Sequence, residues 1–148
     1  MIGHKIVLGL FTATLLGSCS MMMGRSTTYT FKHNPTAADP AALGRAVATR
    51  DGSMVSTTLT LSGLTPSKAY IAHYHAFGPA SSTDPCASNG PVTLGFPNFT
   101  ADASGKASVT VTGDMAKIAG DMGAYINVHY ASDPSVVPIC APVKMTKG

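Results

Sequence analysis

Apolar and polar residues alternate along most of this chain after residue 26, in short runs separated by turn residues. That period of two is the signature of strands with one buried face. TTYTFKH (27–33) reads as a first strand, and NPTAADPAA (34–42) as a proline-containing loop. LGRAVATR (43–50), an Asp51-Gly52 turn and SMVSTTLTLSG (53–63) read as a hairpin, because Asp-Gly favours the tight turn between paired strands. AYIAHYHAF (69–77) is the next strand, followed by a long loop over 78–91. VTLGFPNFT (92–100) reads as irregular or edge strand, since Pro97 has no ladder donor. KASVTVTG (106–113), AYINVHYA (124–131) and ICAPVKM (139–145) complete the strands, and 114–123 holds one helical turn capped by Asp114. The pattern predicts an all-β fold: a single antiparallel, Greek-key β-sandwich of seven to eight strands.

The first eighteen residues stand apart. His4 and Lys5 precede the apolar run IVLGLFTATLLG, which is too short to span a bilayer and reads as the apolar region of a secretory signal. Leu16-Gly17-Ser18-Cys19 resembles a bacterial lipobox, which implies cleavage before Cys19 and its lipidation. The alternative is ordinary cleavage nearby. The expected organisation is a lipoprotein signal over 1–18, a lipidated tether over 19–27 and a sandwich over 28–148, exported and anchored to a bacterial membrane, facing the periplasm or exterior. Met21-Met22-Met23 in the tether could offer thioethers to copper, but a flexible linker needs nothing more.

Composition narrows the function. The whole chain has 10 Lys+Arg against 7 acids, all of them Asp, with no Glu. The mild, scattered positive charge argues against nucleic acid as a partner, and Arg45 and Arg50 read as a solvated face. With Cys19 lipidated, Cys86 and Cys140 remain as an even pair in an oxidising compartment, which favours a disulfide over two separate thiols. No Gly-rich phosphate loop, GxSxG or CxxC motif occurs. The candidate chemistry lies in the histidines. His73 and His75 alternate on one strand face with Ile71 and Phe77, while Tyr70 and Tyr74 take the other. The bland alternative is a pair of hydrogen-bonded, half-buried histidines in a structural sandwich.

GLTPSKAYIAHYHAFG (63–78) resembles the copper-binding HxHxFG segment of copper/zinc superoxide dismutases. FGPASSTDPC, FTADASGKASVTV, INVHY and ICAPVKM follow in the order of that family. The resemblance implies one copper ion held by His73, His75 and His129, and a Cys86–Cys140 bridge. A fourth ligand would come from His33, water, Tyr74 or Tyr130, with Asn127 and Asp133 orienting a histidine. The segment between Cys86 and Phe99 has neither His nor Asp, so no zinc is expected. Val137 stands where the dismutases place their arginine, so superoxide is a substrate for weak dismutation at most, and copper sequestration is the binding alternative. A second resemblance covers the same stretch: AHYH, NGPV and GAYINVHYASDP are similar to segments of the CHRD domain, which implies a structural or interaction module without metal. Oligomeric state is not expected from either.

Overall fold

In the computed structural model, residues 24–35, 38–78 and 84–145 are described. The proposed leader and tether, with Cys19, lie outside them apart from residues 24–27. Among the described residues, no helix is long and apolar enough to cross a membrane.

Two antiparallel sheets face each other. The first joins β1 (Arg25–Thr30), β3 (Leu43–Asp51), β4 (Met54–Ser62) and β8 (Ala107–Asp114) in the order β1-β3-β4-β8. The second joins β2 (Lys32–His33), β10 (Ile139–Val143), β9 (Gly123–Tyr130), β5 (Ala69–Phe77) and β6 (Val92–Gly95) in the order β2-β10-β9-β5-β6. A two-residue strand, β7 (Phe99–Thr100), adds to β5. The all-β sandwich is therefore as the alternation predicts, with ten strands among the described residues rather than seven or eight.

The extra strands have local causes. The expected strand over 27–33 is cut at Phe31, whose ring is buried, so β1 stays in the first sheet and β2 passes to the second. The run 92–100 is divided by Phe96-Pro97-Asn98, because a proline inside a strand removes a ladder bond. In the hairpin, Asp51 pairs with Met54, leaving Gly52 at φ 58° and Ser53 as the two-residue turn. The expected helical turn is α1 (Met115–Ile118), and the Asp114 side chain accepts from the Ala116 backbone N–H.

The inward residues of β5 (Tyr70, Ala72, Tyr74) and of β9 (Ala124, Ile126, Val128) meet Ala46, Val55, Leu59 and Leu61 from the first sheet. One polar link crosses this core: the hydroxyls of Thr57 and Tyr74 hydrogen-bond at 2.7 Å. Burial pushes the Tyr74 phenol up to about 12, so it stays protonated. At one end of the core, buried Asp39 accepts from Thr65 Oγ1, Tyr70 OH (2.5 Å) and Tyr130 OH (3.1 Å). That carboxylate ties the chain at Asp39 to β5 and β9 of the second sheet.

The outer face of the first sheet is nearly all hydroxyl. Ser26, Thr49, Ser56 and Thr112 lie in one cross-strand row, and Thr28, Thr58 and Thr110 lie in the next with Val47. Arg45 points out beside them, opposite Thr30 and Thr60.

Candidate metal centre on the outer face of the second sheet

Strand pairing brings the histidines together. On β5 and β9, Ile71 lies opposite His129, His73 opposite Asn127 and His75 opposite Tyr125. His129 is thus diagonal to His73, within the reach of side chains two positions apart on facing strands. All these residues lie on the face turned away from the core, because their neighbours Tyr70, Ala72, Tyr74, Ile126 and Val128 fill the inside. One ligand nitrogen from each of His73, His75 and His129 lies within 4.8 Å of the other two. Three such atoms all fall within about 2.8 Å of one point (4.8 Å divided by √3). Imidazole nitrogens bind a metal at about 2.0–2.1 Å, so a sub-ångström contraction closes the site.

Two loops fix the rings. The His75 Nδ1–H donates to the Gly90 carbonyl at 2.9 Å, and the His129 Nδ1–H donates to the Pro134 carbonyl at 2.6 Å. Each bond requires a proton on Nδ1, so the neutral form of either ring carries its lone pair on Nε2. Those two Nε2 atoms are buried and have no hydrogen-bond partner. A buried acceptor without a partner is uncommon and asks for a cause. A carbonyl on the far nitrogen is also the usual arrangement behind a metal-binding histidine. Burial, and then the neighbouring imidazoles, hold His73 and His129 below the ordinary histidine range, although the Pro134 bond partly opposes this at His129. Both shifts favour the neutral, ligating form.

Each loop is built for its task. Gly90 has no room for a side chain: a Cβ there would lie 1.9 Å from the Ala76 carbonyl oxygen. This close approach lets the Gly90 N–H donate to Tyr125 OH at 2.8 Å, while Tyr125 OH donates to the Ser88 carbonyl at 3.3 Å. The same loop is stitched to β10 by the Cys86–Cys140 disulfide, with Cα atoms 5.9 Å apart. On the other side, Asp133 accepts from Ser135 N–H (3.0 Å) and Ser135 Oγ–H (2.6 Å), shaping the turn that carries Pro134.

Other expected ligands lie elsewhere. Tyr74 and Tyr130 face the core and are committed to Thr57 and Asp39, so neither is a fourth ligand. His33 is on β2, separated from β9 by β10, and is outside the cluster. It lines a neighbouring cleft of about 370 Å³ together with Lys32, Val137 and Asn127. Asn127 separates that cleft from His73, and its buried Oδ1 has no hydrogen-bond partner. Gly90, Tyr125 and the Pro134 carbonyl are not among the ligands or their partners expected from the sequence. They lie within NGPV and GAYINVHYASDP, the segments similar to the CHRD domain, and Gly90-Pro91 and Asp133-Pro134 mark turns, since proline restricts the residue before it.

Residues 23–136 match the CHRD domain. The chain belongs to the CHRD domain family. The match covers most of the described sandwich, including all three histidines, and stops before Cys140. It supports the second of the two resemblances. No curated protein matches the chain. In this CHRD domain the histidine cluster is built entirely on β5 and β9, and the loop that orients His75 is tied to β10 by the disulfide.

Proposed function

We propose that this CHRD domain is a metal-binding module that holds one copper ion through His73, His75 and His129. The observation that carries the reading is the pair of buried Nε2 atoms, on His75 and His129, left without partners while each Nδ1–H is fixed by a loop carbonyl. An all-imidazole set suits both Cu(I) and Cu(II), and bound copper would supply a centre able to change oxidation state. His75 and His129 would ligate through Nε2. Asn127 would polarise or orient an adjacent ligand from its place opposite His73.

Sequestration is favoured over superoxide dismutation. Rapid dismutation draws on a positive field that focuses an anion onto the metal, and the resemblance to the dismutases would put Val137 where they carry an arginine. The lipobox-like sequence around Cys19 supports a lipid-tethered protein outside the cytoplasm, where the copper it holds would be extracytoplasmic.

The test is titration of the soluble form beginning at Ser20 with Cu(I), Cu(II) and Zn(II), repeated on His73→Ala, His75→Ala and His129→Ala. One copper per chain, bound more tightly than zinc and lost in the variants, is the expected result. Copper uptake that the variants share would end the reading. The family match would then favour the other one, a structural or interaction module whose histidines can be replaced without consequence.

A further inference from the structure

A second site lies at the edge where the two sheets separate, and it shares no residue with the histidine cluster. Arg25 on β1 stands directly opposite Arg50 on β3. Like charges in that position repel across the ladder. Both line a cavity of about 280 Å³ together with Lys144, just beyond β10. Among the described residues, no acidic side chain lines it. Three cations therefore converge on one small space with no internal counter-charge.

The cavity is built rather than incidental. Arg50 Nε donates to the Gly52 carbonyl at 2.8 Å, which holds the guanidinium at the mouth and leaves its remaining N–H groups for a ligand. Tyr29 OH donates to the Lys144 carbonyl at 3.4 Å and draws that segment against β1. Thr27 adds a hydroxyl, and Met115 and Met145 give an apolar floor. Arg50 is thus not part of the face occupied by Arg45: the period of two sends the even-numbered residue inward to this cleft.

We infer that Arg25, Arg50 and Lys144 form a binding site for a phosphate-bearing lipid head group. Planar guanidinium forks match phosphate oxygens two at a time, and an ammonium adds a third point of charge. The size of the cavity suits a head group and leaves the acyl chains outside. The lipid source rests on the tethered reading above. Arg25 comes six residues after Cys19, and six residues span at most about 20 Å. A lipid on Cys19 would hold this cleft close to the bilayer and raise the effective concentration of head groups there.

The experiment measures binding of monomeric dihexanoyl phosphatidylglycerol to the full chain, with dihexanoyl phosphatidylcholine and inorganic phosphate as comparators. Saturable binding of the phosphatidylglycerol is expected, at least tenfold tighter than either comparator. It should weaken at least tenfold in R25Q/R50Q and in K144Q, and stay unchanged in His73→Ala. The single K144Q variant keeps the test decisive if the double variant fails to fold. Equal binding of phosphatidylcholine, equal binding of inorganic phosphate, or indifference to both basic variants would overturn the inference. Loss of copper binding in His73→Ala with lipid binding retained separates this site from the copper reading.

Discussion

Tyr125 lies flat against His75, with ring centroids 4.8 Å apart and planes 7° from parallel. The same tyrosine holds the backbone of Ser88 and Gly90, so it supports His75 both through the ring and through the carbonyl that fixes its proton. Tyr125→Phe keeps the stack and removes the two loop bonds. Copper affinity should fall by roughly tenfold, in the range found for partners that orient metal-binding histidines. Isothermal titration checks it, and unchanged affinity would show that the loop holds His75 without Tyr125.

Gly90→Ala should be more damaging than its size suggests. The added methyl has no space against Ala76, so the loop must move and the His75 Nδ1–H loses its acceptor. The expected outcome is weaker copper binding and loss of the slowly exchanging Nδ1 proton signal of His75 in NMR spectra, with the disulfide still formed.

Removing the disulfide should lower stability by about 4 kcal/mol, from the loop-closure entropy of a link across a sequence separation of 54 residues. The Cys86→Ser/Cys140→Ser variant, compared with the parent in urea unfolding, gives the number. A loss below about 1 kcal/mol would mean that the loop is held by Tyr125 and the strands alone.

Asp39 gives an acid-stability prediction. Burial tends to raise its pKa, but the hydroxyls of Thr65, Tyr70 and Tyr130, with the charge of Lys68, outweigh burial and hold it below the usual carboxylate value. A folded-state pKa below the unfolded one contributes stability that is complete above about pH 4 and is lost as pH falls through the folded value. Asp39→Asn should therefore destabilise the protein at neutral pH by about 2 kcal/mol, as for hydrogen bonds to a charged group. It should also flatten the acid limb of the stability curve. Chemical unfolding between pH 2 and pH 7 tests both parts.

The sandwich and the placement of His73 and His75 were legible because alternation is local: each strand states which residues share a face. The same rule puts Tyr74 and Tyr130 on the inner face, so their exclusion as ligands was also readable. Other features depend on long-range packing. The chain turns from one sheet to the other at Phe31 because that ring finds the core, and nothing in TTYTFKH marks the corner. The diagonal meeting of His129 with His73 is set by the register between β5 and β9, across 56 positions of sequence. The carbonyls of Gly90 and Pro134 belong to loops whose paths are fixed by the disulfide and by Asp133. A carbonyl has no side-chain identity to read.

The three histidines all project from the side of β5 and β9 that the core does not use. Replacing them changes no side chain of the core between the two sheets. A metal bound there would be a removable trait, lost by a few outward substitutions while the inner face of the scaffold is kept. Relatives with the same fold would then be sorted, as binders or non-binders, by the residues that stand at positions 73, 75 and 129.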